Sequence, residues 1–371
     1  MSSATRYPVL YLGRSGPIYG LSRQMLYLAS GLDQQRFPLR VVINEPGPLQ
    51  DELAARNIEC LVQRMSPWRA LFYVIPRYLD ARRLLALARE RRCRLVHAQD
   101  VWRAEYAYYI AKHLGIPSVV HVRGPLTRRD IHKHRLFRAD AIIAVAQRYV
   151  DDLVAAGIPS ERITLIDDAV DLNLFSAAAY PRQAPADGIV RVAIVGRISP
   201  EKRILEFLEV IALLPPQILA LARFQIVGDW VDLSYRHEVE AALDRLQLRK
   251  IVHFPGGFDN RSMPRQLSEL DLLVTLAGGS VMFEAMAMGA AVLSVRSDHR
   301  HSRHTRHDQT AWCVTTDRPE QIGEALSLLL TDADLRLRIA KAGQDWVGKH
   351  LCVSAMTEST RASYERLLGL V

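Results

Sequence analysis

Cysteine is scarce: Cys60, Cys93, Cys313 and Cys352 are the four in 371 residues, and no two lie close in sequence. That excludes a disulfide scaffold and the standard zinc and redox motifs, and the four read as thiols of a reducing compartment. Gly and Pro, 20 and 18, are too few for a low-complexity chain. Long apolar runs are missing as well. The most apolar stretch, 210–222, is interrupted by Pro215 and Pro216 and is too short to span a bilayer. The N-terminal MSSATRYPVLYLG lacks the apolar core of a signal peptide, so a cytoplasmic protein is expected. Two nucleotide fingerprints are also absent. No G-x-x-x-x-G-K-[ST] occurs, and Gly13, Gly16 and Gly20 are spaced wrongly for the dinucleotide turn of a dehydrogenase. Acidic residues fall short of basic ones, 40 against 48, a net charge of +8 that implies an anionic partner: nucleic acid, membrane or phosphorylated substrate.

What is present is a globular composition, 49% hydrophobic and 24% charged, in a length that suggests two domains. Short apolar runs at 9–12, 39–43, 59–62, 95–97, 118–121, 141–144 and 163–166 alternate with amphipathic segments such as 21–32 and 104–114. The alternation restarts at 190–195, 223–227, 251–254, 272–276 and 291–295, then gives way to three helical segments after Asp317. Strand–helix alternation means parallel sheets covered on both faces. The expected organisation is a first domain over 1–175, an Ala/Pro-rich linker over 176–188, a second domain over 189–350, and a C-terminal helix over 351–371 able to return to the first domain. Ligands of such sheets bind at the carboxyl ends of strands, here in a cleft between the halves.

The chemistry-bearing motifs follow strands. VGRISPEK places Arg197 at a strand's carboxyl end and Lys202 five residues on, a fork and a mobile point charge suited to a pyrophosphate. In TLAGGSVMFEAMAMGAAVLSV a strand runs into Gly278, Gly279 and Ser280, then a helix with Glu284 one turn in. Backbone N–H groups at that helix start favour an anion, Ser280 is a candidate N-cap, and a carboxylate can accept both hydroxyls of a ribose. The bland alternatives are a solvated loop and a core helix. The two motifs together, on one sheet, favour a nucleotide site. Gly16 and Gly20 flank another strand–helix turn, which is equally an ordinary tight turn.

Two further stretches invite function. Residues 294–308, SVRSDHRHSRHTRHD, carry four His and four Arg. The spacing fits no zinc site, so a basic loop facing an anionic acceptor or donor is preferred to a metal. Residues 64–94 hold nine Arg against Asp80 and Glu90, with Trp68, Phe72, Tyr73, Ile75, Tyr78 and Leu79 interleaved. Such a stretch suits an anionic membrane surface, the alternative being a helix with its apolar side in the core. No nucleic-acid-binding motif supports nucleic acid as the partner.

VGRISPEK, FQIVGDW and FEAMAMGAAVL resemble the donor half of retaining glycosyltransferases of family 4, and LVHAQD, GIPSVVHVRG, RADAIIAVAQ and LIDDAVDLNLF resemble the first half of that family in the same order. The resemblance covers nearly the whole chain. It implies an α/β GT-B fold of two Rossmann-like domains and sugar transfer from a nucleotide sugar, UDP- or GDP-linked, to a lipid-linked or saccharide acceptor. The setting it implies is bacterial cell-surface polysaccharide or lipopolysaccharide synthesis, peripheral on the cytoplasmic face of the inner membrane. It also implies metal-independent retention, the leaving phosphate taking the acceptor's proton.

By residue, it implies Arg197 and Lys202 on the diphosphate with Gly196, Gly278, Gly279 and Ser280 around the donor. Glu284 falls to the ribose, Gly228 and Asp229 to the base, and Arg123 stands where many members have a His facing the donor sugar. Gly16, Gly20 and His97 would line the acceptor side. The chain departs from the pattern at Leu276, where the family has a Glu, and at Asp168-Ala169, where it has Asn-Gly. Two alternatives stay open: a nucleotide-sugar epimerase or hydrolase, and a degenerate nucleotide-sugar-binding subunit, which Leu276 suggests.

Overall fold

The computed structural model describes residues 5–14, 20–181, 188–257, 262–295 and 303–371. The chain divides into two compact units, one built from 1–169 and 353–371, the other from 170–352.

The first unit contains a seven-stranded parallel sheet of β1 (Val9–Leu12), β2 (Leu39–Ile43), β3 (Glu59–Val62), β4 (Leu95–Ala98), β5 (Ser118–Val122), β6 (Ala141–Ala144) and β7 (Ile163–Leu165). Their order is β3-β2-β1-β4-β5-β6-β7. The second unit contains β8 (Val190–Val195), β9 (Ala222–Val227), β10 (Val252–Gly256), β11 (Leu272–Thr275), β12 (Ala291–Val295) and β13 (Trp312–Val314), in the order β10-β9-β8-β11-β12-β13. Every pairing is parallel. Each sheet therefore has one point where the strand order reverses, between β1 and β4 and between β8 and β11. Helices diverge to either side there and leave a crevice at the carboxyl ends.

The central strands read as continuous apolar runs because both faces are covered. Val9, Leu10, Tyr11 and Leu12 are all buried, the odd residues packing in one core and the even in another. β12 behaves likewise, with all five residues buried.

Residues 170–175, read from the sequence with the first half, join the second unit. Val170 and Phe175 are buried in its core, and the Val170 N–H bonds to the Leu351 carbonyl. The segment Val353–Leu367 belongs to the first unit, where Met356 and Tyr364 enter the core beneath β1 and β4. β13 is a strand that the sequence reading did not give. Of the stretch 176–188, residues 182–187 lie outside the described residues.

Candidate active site

In the second unit, three loops leave the carboxyl ends of the neighbouring strands β9, β8 and β11, and glycines let them close up. Beyond β8 the Gly196 N–H bonds to the Val227 carbonyl at 2.9 Å, and beyond β9 the Gly228 N–H bonds to the Gly256 carbonyl at 3.0 Å. A Cβ on Gly228 would fall 1.8 Å from the Gly196 oxygen, so no other residue fits there without parting the two loops. Gly278 and Gly279 follow β11 with φ of 66° and 124°, left-handed values that L side chains avoid.

Lys202 sits across this reversal point. It leaves the loop after β8 through a short 3₁₀ turn, Pro200–Lys202, and its Nζ donates to the Gly278 carbonyl beyond β11 at 3.4 Å. Its side chain also lies against Gly196: a Cβ there would be 3.1 Å from Lys202 Cε. A half-buried ammonium is thus held among three glycines at the carboxyl ends of two neighbouring strands.

The other expected residues fall around it unequally. Arg197 stands in solvent, its side chain 74% exposed and 4.0 Å from Glu201. The structure does not bring the two cations together. Glu284 is buried, one turn into the helix Val281–Ala287. Ser280 occupies the N-cap position but makes no side-chain cap hydrogen bond: its own backbone is already helical, with φ −63° and ψ −28°, so the hydroxyl does not face the free N–H groups. Asp229 is exposed, with its carboxylate against the backbone of Gly257, and beside it Trp230 stacks on Phe254 with ring centres 5.5 Å apart. Leu276 is buried in the core, so no carboxylate reaches the site from that position.

Arg203, which the sequence reading passed over, takes the next position. Its guanidinium donates to the Leu276 carbonyl at 3.3 Å and pairs with Asp317 at 2.6 Å and Glu206 at 3.2 Å. It ties the loop after β11 to the segment beyond β13. Its φ of 58° is the one signal that marks the turn, and it is invisible in sequence.

In the first unit, Arg123 follows β5 with its side chain 9% exposed and pairs with Asp168. Burial works against the guanidinium's charge, but Asp168 and Tyr11 outweigh it and hold its pKa up. His97 is wholly buried in β4, with one ring nitrogen 2.6 Å from the Tyr364 hydroxyl and the other 3.1 Å from His121. It does not line an acceptor cleft. β4 is central, so a residue inside it is covered on both faces, and the crevice begins only beyond the strand's end.

There stand Gln99, Asp100 and Arg103, all buried at the first sheet's reversal point. Gln99 donates to the Leu21 carbonyl at 2.7 Å, Asp100 accepts from the Trp102 N–H at 2.9 Å, and Arg103 donates to the Gly13 carbonyl at 3.1 Å. Gly20 opens the helix Gly20–Gly31, and among the described residues nothing lies within 4 Å of where its Cβ would be. Gly16 lies outside the described residues.

The His/Arg-rich stretch is described from residue 303. His304 is buried and accepts from the Trp346 indole at 3.2 Å, and His307 accepts from the Cys313 N–H at 3.2 Å. His304 thus serves packing, while His307 lies exposed against the Trp312 ring. Among the described residues no cluster of His, Cys, Asp and Glu could hold a metal. Residues 296–302, with His299 and His301, lie outside them.

Comparison with known proteins gives this geometry its class. Residues 18–174 match the family described as Glycosyltransferase Family 4, and residues 182–346 match Glycosyl transferases group 1. The chain is a glycosyltransferase of the GT-B fold. An uncharacterized glycosyltransferase of Bacillus subtilis, YqgM, is 24% identical over 76% of this chain and 80% of its own length. The putative colanic acid biosynthesis glycosyltransferase WcaL of Escherichia coli is 26% identical over 54% of this chain and 51% of its own. Among solved structures, Anabaena HepE in complex with UDP and glucose superposes with a TM-score of 0.79 at 19% identity, over 96% of this chain and 98% of that one. WaaG, a glycosyltransferase of lipopolysaccharide biosynthesis, superposes with a TM-score of 0.69 at 16% identity, over 97% and 100%.

Proposed function

We propose that the enzyme transfers a sugar, with retention, from a UDP- or GDP-linked donor to a lipid-linked or saccharide acceptor of a bacterial cell-surface polysaccharide or lipopolysaccharide. The observation that carries this reading is Lys202, an ammonium held at the reversal point of a parallel sheet between glycine loops. A fixed cation there suits a departing diphosphate, whose charge grows in the transition state. Arg197, exposed on the same loop, is free to swing toward a bound anion. Glu284 is assigned to the ribose, Gly228 and Asp229 to the side of the base, and Arg123 to the transferred sugar. The roles of WcaL and WaaG and the ligands of HepE support the donor and acceptor classes. The reaction needs no metal and no protein base in this reading, since the leaving phosphate takes the acceptor's proton.

Leu276 favours a second reading, a nucleotide-sugar-binding subunit without transfer, because the position that carries a Glu in the family is core here. Titration with UDP and GDP, followed by assay of donor consumption with and without a glycan acceptor, separates the cases. Binding without turnover overturns the transferase reading. Free sugar or epimer formed without acceptor points to the hydrolase or epimerase.

We place the enzyme peripherally at the cytoplasmic face of the inner membrane. No helix among the described residues is long and apolar enough to cross a bilayer. The helix Val74–Glu90 and the 3₁₀ turn before it bury one side and expose the other. Ala81, Leu84, Leu85 and Ala88 face the core, while Phe72 is 93% and Ile75 73% exposed, followed along the helix by exposed Leu79, Arg82, Arg83 and Arg89. Apolar tips beside a collar of arginines suit an anionic lipid surface. Arg91 is excluded from that collar, since it pairs with Glu59 at 2.7 Å.

A further inference from the structure

Between the C-terminal helix and Arg123 runs an unbroken line of buried polar side chains. The Tyr364 hydroxyl is 2.6 Å from His97 Nδ1, His97 Nε2 is 3.1 Å from His121 Nδ1, and His121 Nδ1 is 3.4 Å from an Arg123 Nη. Arg123 ends the line on Asp168. The two imidazoles stack with centres 5.0 Å apart, and Tyr11 packs on His97 at 4.5 Å. All of these residues belong to the first unit.

Both histidines are neutral. Burial, with Arg123 adding to it, pushes His97 down to about 3, and burial, Arg123 and His97 push His121 well down. Burial also keeps the Tyr364 phenol protonated. A neutral imidazole has one N–H and one bare nitrogen, and a guanidinium can only donate. With the Arg123–His121 contact taken as a hydrogen bond, those two facts assign the protons in the line. Arg123 donates to His121 Nδ1, which must be bare. His97 Nε2 faces that same bare nitrogen and must carry its ring's proton. His97 Nδ1 is then bare and accepts from the Tyr364 hydroxyl.

We propose that Tyr364 is a positioning residue for Arg123, acting through the tautomers of His97 and His121. The inference rests on the assignment of Arg123 to the transferred sugar. Its logic is directional. If His97 took the other tautomer, His121 Nδ1 would have to carry a proton to bond it, and that proton would oppose the Arg123 N–H. The guanidinium would lose its inner acceptor and keep only Asp168 and Tyr11. The C-terminal helix thus supplies the donor that orients a side chain at the far end of the line.

The test is two-bond proton–nitrogen NMR on histidine-labelled protein, with His97 and His121 assigned from His97→Gln and His121→Gln, alongside kinetics of Tyr364→Phe. In the wild type, His97 should show the Nε2–H form and His121 a bare Nδ1. That measurement alone overturns the proposal if it finds the opposite form at either ring. In Tyr364→Phe, His97 should move toward Nδ1–H, turnover should fall about tenfold, equivalent to about 1.4 kcal/mol, and the dissociation constant for UDP or GDP should stay unchanged. Unaltered tautomers in this variant overturn the proposal. So does a tautomer shift with normal turnover when Arg123→Ala is slow. Normal turnover in Arg123→Ala itself removes the assignment of Arg123, and the positioning role with it. Loss of nucleotide affinity in Tyr364→Phe shows general disruption and likewise overturns it.

Discussion

Lys202 Nζ donates to the carbonyl oxygen of Gly278, 76 residues away, and so bridges the loops after β8 and β11 at the one place where the second sheet reverses its strand order. The ammonium has three protons and a flexible stem, so it can keep this bond and still meet a phosphate. Lys202→Ala should lower turnover by about 10²–10³-fold and weaken UDP or GDP binding, with melting temperature little changed. Arg197→Ala should act in the same direction. Calorimetric titration and steady-state kinetics check both, and normal values in both variants remove the diphosphate assignment.

Gly228 has no room for a methyl group, with the Gly196 oxygen 1.8 Å from where its Cβ would lie. Gly228→Ala should therefore cost about 1–3 kcal/mol of stability as the loops after β8 and β9 are forced apart. Gly20→Ala, where the Cβ meets nothing within 4 Å among the described residues, should cost far less. Urea unfolding of the two variants compares them directly.

Glu284 is buried beside the glycine loop, and a charged hydrogen bond to a ribose hydroxyl would be lost in Glu284→Gln. The expected penalty on nucleotide affinity is about 1.5–3 kcal/mol. The corresponding deoxyribonucleotide should show a smaller difference between wild type and variant. Equal affinities of the two proteins for UDP and GDP would exclude a ribose contact.

Stability should fall with acidification before the carboxylates titrate. His97 has its pKa depressed to about 3 by burial, so the unfolded chain takes up this proton near 6.5 while the folded chain does not. Unfolded protein binds more protons through that window, and stability is lost as pH falls from about 6.5 toward 3, by up to about 1.4 kcal/mol per pH unit for each such histidine. Unfolding at pH 6.5, 5.5 and 4.5 should give a shallower slope in His97→Gln. An identical slope would mean that His97 becomes charged in the folded protein.

Vesicles containing anionic lipid should retain the protein at low salt and release it at high salt, since each arginine near the surface contributes about 1 kcal/mol and is screened within a Debye length. Replacing Arg82, Arg83 and Arg89 with Gln should abolish retention, and Phe72→Ser with Ile75→Ser should weaken it, with nucleotide affinity intact. Neutral vesicles should retain little. Equal retention on both vesicle types, or none, would assign these residues to ordinary solvated surface.

The alternation of apolar runs and amphipathic segments was enough to determine two parallel α/β units, because a strand buried on both faces must be apolar throughout, and Val9–Leu12 and Ala291–Val295 show it in sequence. Local spacing also determined that Lys202, Gly278 and Gly279 follow strands, since turn glycines and their neighbours are read within a few residues. Which side chains meet was decided by tertiary structure alone. His97, which the resemblance put on the acceptor side, is sealed in a central strand, Gln99, Asp100 and Arg103 stand just beyond it, and Arg203 finds Asp317 across 114 residues. The partner of His97 is Tyr364, 267 residues on. No periodicity in a chain can announce that contact, because it exists only after a C-terminal helix has packed beneath a sheet whose strands were assembled out of sequence order.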